Sequence, residues 1–335
     1  MTSVVLCCYN QGRFVAKAIE SVLAQTHAEL ELIVVDNGSS DDSRDVIRRF
    51  TDPRVHCMFF DRNEAVTKRL NMAIAATTGE FVSLLYADDY YLPEKLERQL
   101  ACFGALSKDY GVVYSPGYRL NVLTGVRWQE PSLSASGNIL QDLLLRSERG
   151  FINPISPLVR RECFLTYPFD EDLFVEGESL YLRVAMRFKF FYLDDPVAVM
   201  SDHESNIGKA IKANVSRLMT VLDRLKRHPD FPRSSQRAVE IFRSRILRDS
   251  GWQGIRVAGD PVWARACFAG AVRSYPFQAI HPRTLGGTVL SVVPGTVLGV
   301  ANRIANRIRG HKGIVSVINA PELDLASGIS QREDS

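Results

Sequence analysis

Apolar and polar residues alternate at two different periods along the first half of the chain, and the switching between them predicts a repeated β-α-β unit. Ser3 to Cys8 is a continuous apolar run of buried-strand length. Phe14, Val15, Ala18, Ile19, Val22 and Leu23 then recur at helical spacing, and Leu30 to Val35 is a second buried strand. The turn Asp36-Asn37-Gly38-Ser39-Ser40 follows, with Ser40 as the expected N-cap of a helix through Asp45, Val46, Ile47 and Phe50. Val55 to Phe60 predicts strand three, Val66 to Ala76 a helix, and Phe81 to Ala87 a fourth strand that runs into Asp88 and Asp89. Pro93 is placed to open the next helix, and Val112 to Ser115 makes a fifth strand. Strands and helices alternating at this short spacing predict an α/β fold, a mostly parallel sheet with helices on both faces.

The pattern breaks at Tyr118. From there to Gly137 the chain is polar, turn-rich and aperiodic, which predicts a functional loop. Ile155 to Arg160 reads as another strand, Leu180 to Phe188 as a helix, and Phe190 to Leu193 and Val197 to Met200 as two short strands. From about Ser205 the chain turns helical, with Ile211, Val215, Leu218, Leu222 and Leu225 on one face. The expected organisation is an α/β domain over 1–204, divided at 118/119, a helical extension over 205–325, and a disordered polar tail over 326–335.

Composition narrows the function classes. The formal charge of +3 on 335 residues is too weak for a nucleic-acid groove, and no basic stripe is interleaved with aromatics. The six cysteines form no C-x-x-C pair and read as buried free thiols in a reducing compartment. Met1-Thr2-Ser3 leads straight into a strand without the basic and apolar regions of a signal peptide, so a cytoplasmic location is expected. Thr284 to Ala301 carries no charge, but five of its residues are Gly or Pro, which makes it a poor membrane-spanning helix. The segment Asn302-Arg303-Ile304-Ala305-Asn306-Arg307-Ile308-Arg309 places Arg and Ile on different sides of a helix, a pattern suited either to peripheral contact with an anionic membrane surface or to a solvated basic helix.

Chemistry concentrates at the carboxyl ends of the predicted strands, where an α/β sheet opens its ligand crevice. Asp36 ends strand two and the pair Asp88, Asp89 follows strand four. A dinucleotide fold would need G-x-G-x-x-G after strand one, yet Tyr9-Asn10-Gln11-Gly12-Arg13 has a single glycine, and the phosphate loop G-x-x-x-x-G-K-[ST] is absent. Phosphate must then be held by a metal or by side chains, which paired carboxylates provide. Lys68 and Arg69 are further candidates to reach a diphosphate, although long basic side chains on a helix are more often solvated.

Four motifs in order carry a resemblance. These are Val4-Val5-Leu6-Cys7-Cys8-Tyr9-Asn10, Ser21-Val22-Leu23-Ala24-Gln25-Thr26, Leu32 to Asp41 with its Asp36-Asn37-Gly38-Ser39-Ser40 core, and Gly79-Glu80-Phe81 leading to Ala87-Asp88-Asp89. Together they closely resemble the family 2 glycosyltransferases, inverting enzymes of the GT-A fold that use nucleotide-activated sugars. The resemblance is dense over about the first 120 residues and fades towards residue 205. It implies that 1–118 is the nucleotide-sugar-binding half and 119–204 the acceptor side. Tyr9 matches the aromatic against the nucleotide base, Asp36 the acid that meets the base or ribose, Asp88 the ribose-side acid, and Asp89 the ligand of Mg²⁺ or Mn²⁺. His203 lies where relatives often have a histidine, near the metal or diphosphate.

An inverting transfer also needs a base to take the acceptor hydroxyl's proton. The family supplies an acid six residues before an arginine, and counting back from Arg183 lands on Gly177, with Glu176 and Glu178 on either side. Either glutamate is a candidate base. Asn37 is a second departure, where many relatives carry an acid. What the resemblance implies is a metal-dependent transfer from a nucleotide-sugar, a UDP-sugar before others, to a glycan or lipid-linked acceptor in cell-surface polysaccharide assembly. The missing acid keeps open a non-catalytic nucleotide-sugar or glycan-binding protein on the same fold, and paired acids also occur in sugar nucleotidyltransferases, whose glycine- and lysine-rich loop this chain lacks.

Overall fold

The computed structural model describes residues 1–146, 150–173, 176–203 and 211–292. The chain divides into two compact units, Met1–Arg243 and Ser244–Ser335.

In the first unit, β1 (Thr2–Cys8) and β2 (Leu30–Asp36) are buried at every position, which requires cover on both faces of the sheet and accounts for their unbroken apolar runs. With β3 (Val55–Phe59), β4 (Phe81–Tyr86), β6 (Tyr110–Tyr114), β9 (Leu158–Arg160) and β10 (Lys189–Tyr192) they form a seven-stranded sheet in the order β10-β6-β9-β4-β1-β2-β3. Only β9 runs against its neighbours. The crossovers are α1 (Gly12–Leu23), α2 (Ser43–Arg48) and α3 (Val66–Ala76), and α1 turns Val15, Ala18, Ile19 and Val22 inward at helical spacing. A smaller sheet of β5 (Tyr90–Tyr91), β7 (Tyr118–Asn121), β8 (Arg127–Gln129) and β11 (Ala198–Asp202) has the order β5-β11-β7-β8.

Helix α4 (Lys95–Ala105) is fixed to the large sheet by a fully buried lysine. Lys95 Nζ donates to Ser83 Oγ at 2.9 Å and to Gln99 Oε1 at 2.8 Å, and lies 4.5 Å from the centre of the Tyr91 ring. Burial drives its pKa well below the usual lysine range. The remaining helices of this unit are α5 (Leu140–Leu145), α6 (Arg161–Thr166), α7 (Glu176–Val184) and α8 (Ile211–Arg227), with α9 (Gln236–Arg256) running into the second unit.

Three local expectations are corrected. Ser40 does not cap α2: the helix begins at Ser43 after Asp42, and the serines and Asp41 bond the loop after β1 instead. Tyr118 to Gly137 is not one aperiodic loop but contains the β7–β8 hairpin, short and exposed enough to leave no apolar run. Of the six free cysteines, Cys57 is exposed and Cys102 half-buried, because β3 is an edge strand and α4 an outer helix.

In the second unit, α10 (Pro261–Ser274) has Asp260 as its N-cap, the carboxylate accepting from Trp263 N at 2.9 Å, with Pro261 at the first helical position. Phe268 is the centre of its small core, and a Cβ at Gly287 of α11 (Pro282–Leu290) would meet that ring at 2.2 Å. Among the described residues no helix is long and apolar enough to cross a membrane. The basic run 302–309 and the tail 326–335 lie outside the described residues.

Candidate functional site

Cys8 of β1 is level with Asp36 of β2, and Cys7 with Tyr86 of β4. Three parallel strands therefore end together, and the residues that follow them, Tyr9, Asp36, Asp88 and Asp89, open on one edge of the sheet. The two loops beside them brace each other. Asn10 N donates to Ser39 Oγ at 3.0 Å, Ser40 N to Asn10 Oδ1 at 2.8 Å, and Gly12 N to Asp41 Oδ2 at 3.0 Å. Asn10 itself has φ +53°, a left-handed conformation that asparagine tolerates better than most residues. Gly38 has φ +79° and approaches the Arg62 carbonyl carbon so closely that a Cβ would lie 2.3 Å away.

Asp36 is fully buried. Its Oδ2 accepts from Arg44 Nε at 2.7 Å and from Ser39 N at 3.3 Å, while Oδ1 has no hydrogen-bond partner among the described residues. A buried carboxylate oxygen without a donor costs about 1–3 kcal/mol, which a ligand's N–H or O–H group would relieve. Tyr9, 43 % exposed at the same edge, presents an aromatic face to whatever binds there. Asn37 turns the other way: its Oδ1 accepts from Arg69 Nε at 2.9 Å and Glu64 N at 3.1 Å, and its Nδ2 donates to Glu64 O at 2.7 Å. Arg69 is buried over the Phe60 ring and Lys68 pairs with Glu64 at 2.9 Å, so both cations are engaged in this local scaffold.

The acidic pair is divided by its partners. His203 Nε2 meets Asp88 Oδ2 at 3.0 Å, across 115 residues of sequence, and the imidazole stacks on Phe14 with centroids 5.1 Å apart. Asp89 is buried, and its Oδ1 accepts from Ser201 N at 2.8 Å, tying the end of β4 to β11. Burial, reinforced by the neighbouring Asp88 charge, pushes the Asp89 carboxyl well above the usual carboxylate range. The Arg119–Glu130 ion pair, 2.5 Å, also acts on Asp89 and lines a cavity of about 190 Å³ with Asn153 and Met200.

Glu178 comes separately, from the first turn of α7, and burial raises its carboxyl pKa. A Cβ at Gly177 would meet nothing within 4 Å. The Glu176 backbone opens α7, and its side chain lies outside the described residues. Arg183, the arginine from which that position was counted, donates to Ser179 O at 2.8 Å and faces Asp170 at 3.6 Å. Sequence reasoning missed Arg44, Phe14 and Ser201. Arg44 alone had a signal, a basic residue in a helix just after the Asp36 turn.

The sequence and the fold were compared with known proteins. The family model "Glycosyl transferase family 2" matches residues 3–165. An uncharacterized glycosyltransferase of Nostoc sp. is 43 % identical over 103 residues, 30 % of this chain and 32 % of the relative. The succinoglycan biosynthesis protein ExoO of Rhizobium meliloti is 30 % identical over 190 residues, 54 % of each chain. The match thus spans between a third and about half of these relatives' own lengths. Among solved structures, Staphylococcus aureus TarS 1–349 in complex with UDP-GlcNAc superposes with a TM-score of 0.64 at 15 % identity, covering 91 % of this chain and 92 % of that one. The mannosyltransferase PcManGT of Pyrobaculum calidifontis, in complex with GDP-Man and Mn²⁺, gives 0.58 at 15 % identity, covering 90 % and 86 %. At that identity the structures speak for the fold, which is the GT-A type expected from the sequence. The family-model match covers the strands that carry Tyr9, Asp36, Asp88 and Asp89, and over residues 3–165 the chain matches glycosyltransferase family 2.

Proposed function

We propose that this protein transfers a sugar, with inversion, from a nucleotide-sugar to a hydroxyl acceptor in the assembly of a surface polysaccharide or lipid-linked glycan. The observation that carries the reading is the convergence of a buried, half-satisfied Asp36 with the Asp88–His203 pair at the ends of three parallel strands. Asp36 Oδ1 accepts a hydrogen bond from the base or ribose, Arg44 fixes that carboxylate, and Tyr9 lies against the base. ExoO supports the polysaccharide setting, and the UDP-GlcNAc bound to TarS supports a UDP-sugar.

The residues present fit a divalent cation. Asp88, its side chain 17 % exposed at the mouth, and His203 offer one carboxylate and one imidazole, leaving the other positions to diphosphate oxygens and water. When bound, Mn²⁺ or Mg²⁺ supplies positive charge against the departing nucleoside diphosphate. The contacts favour Asp88 and His203 as the ligands and Asp89 as a strut. Asp89 Oδ1 already accepts from Ser201 N, which ties the end of β4 to β11.

Glu178 is our choice of general base. Its raised pKa brings it nearer to the range in which a carboxylate takes a proton from a hydroxyl and can still release it. Arg119, Glu130 and Asn153 around the cavity are placed to read sugar hydroxyls. A second reading, binding without turnover, is favoured by Gly177 standing where the family's acid belongs. UDP release from a panel of UDP-sugars with glycan and lipid-linked acceptors, with Mn²⁺ and with EDTA, separates the two. Metal-dependent turnover above the rate of the Glu178→Gln variant supports transfer, and metal-dependent UDP binding with no turnover across the panel overturns it.

A further inference from the structure

The small sheet carries an exposed tryptophan beside a polar cavity. Arg119 of β7 stands opposite Trp128 of β8 and level with Met200 of β11, so the three side chains form one row on a single face of the sheet. Glu130, two residues beyond Trp128, continues that face, and its N extends the ladder by donating to Gly117 O at 3.0 Å. Arg119, Glu130 and Met200 line the cavity of about 190 Å³, while Trp128 stands outside it on the edge strand, 40 % exposed. The next residue of β11, Ser201, joins this face to the strand-end site by donating to Asp89 Oδ1.

The polar groups of the cavity are fixed in place. Arg119 Nε donates to Glu130 Oε1 at 2.5 Å, and Asn153 Nδ2 to Glu130 Oε2 at 3.2 Å. Gly117 makes room for that carboxamide, since a Cβ there would lie 2.8 Å from Asn153 Nδ2. Gly150, at φ +108°, lets the chain leading to Phe151 close on Pro131, whose O a Cβ would meet at 2.2 Å. The Nη groups of Arg119 have no hydrogen-bond partner among the described residues, and each Glu130 oxygen keeps a lone pair, so donors and acceptors stand side by side.

These properties select a ligand. The guanidinium and the carboxylate neutralise each other, which disfavours a phosphate, and burying such groups under a hydrocarbon chain would be costly. Adjacent donors and acceptors beside a flat aromatic face suit a sugar: its hydroxyls both give and accept hydrogen bonds, and its ring C–H bonds, slightly positive, lie against the negative face of an indole. The cavity is smaller than the roughly 300–1,000 Å³ of usual ligand pockets, so it takes one ring, and a longer ligand runs out over Trp128. A donor sugar is a single ring held by its diphosphate. A ring in the cavity followed by a ring on Trp128 is a chain, which is the form of an acceptor.

We infer that Trp128, with Arg119, Glu130 and Asn153, forms a two-ring site for a neutral saccharide chain, which the enzyme uses as its acceptor. The acceptor role rests on the transfer reading above; the saccharide site does not need it.

The test is a ligand-observed NMR titration of the full chain, without donor or metal, against glucose, N-acetylglucosamine, cellotriose, maltotriose and chitotriose. A trisaccharide of this set should bind about fivefold or more tighter than its own monosaccharide, Trp128→Ala should remove that difference, and Trp128→Phe should restore most of it. Glu130→Gln should weaken monosaccharide and trisaccharide alike, by about tenfold. Trp128 is an exposed side chain on an edge strand, so its variants should keep the parent's melting temperature. A trisaccharide preference retained in Trp128→Ala, or no binding by any of the five sugars, would overturn the inference. So would a parent dimer in light scattering that Trp128→Ala dissolves with saccharide affinity unchanged, which would give the tryptophan to a second copy. No donor or metal enters the titration, so its failure is separate from a failure of the UDP-release experiment that tests transfer.

Discussion

At the scale of single residues, the proposed donor end and the proposed acceptor end of the site differ in how their side chains are held. Asp36, Asp88 and Asp89 are each fixed by a partner from another element, whereas the position of the expected base is Gly177, with open space where a side chain would begin. If Glu178 is the base, it must be ionised to act, and its pKa is raised. Activity is then lost as pH falls, at a higher pH than an ordinary glutamate would give. The acid limb of kcat/KM should lie above the usual glutamate range, and Glu178→Gln should lower kcat by about a hundredfold or more and abolish that limb. An unchanged limb in the variant would remove Glu178 from the role. Gly177→Asp should fold, since its Cβ meets no neighbour and an acid suits the first turn of a helix, with stability raised by about 0.5 kcal/mol in urea unfolding. With the acid restored, kcat should increase by about tenfold. A kcat no higher than the parent's would show that this position does not limit transfer.

At the scale of elements, β1, β2 and β4 were legible because strands buried on both faces leave unbroken apolar runs, and α1 because its inward residues repeat at helical spacing. The β7–β8 hairpin was not, since all three residues of β8 are exposed and its pairing depends on backbone hydrogen bonds that any sequence can make. The site shows the same division. Acids at strand ends could be found from spacing, but the contacts that give them different roles come from His203 and Ser201, 115 and 112 residues away, and no local pattern announces them. Lys95 was missed for a related reason: in sequence it is a polar residue opening a helix, and only the packing of α4 on β4 buries it. Its folded pKa lies below its unfolded one, so the unfolded chain binds more protons between the two values. Stability should therefore rise with pH up to about pH 10, and Lys95→Met should flatten that rise in urea titrations. The same slope in parent and variant would mean that the amine is charged in the folded protein.

At the scale of the whole molecule, the family match, the α/β sheet and the strand-end site all fall within residues 1–243, while the second unit has its own small core around Phe268 and an excess of arginine. The central claim is that the first unit holds a nucleoside diphosphate through a cation on Asp88 and His203, with Asp89 serving the fold. Titration calorimetry of UDP into the parent, Asp88→Asn and Asp89→Asn, each with Mn²⁺ and with EDTA, tests it most directly. The account predicts tight binding by the parent only with Mn²⁺, a loss of about tenfold or more in Asp88→Asn, and a smaller loss in Asp89→Asn accompanied by about 1–3 kcal/mol of lost stability. Equal UDP affinity in Mn²⁺ and EDTA, or Mn²⁺ dependence that survives in Asp88→Asn and vanishes in Asp89→Asn, would contradict it.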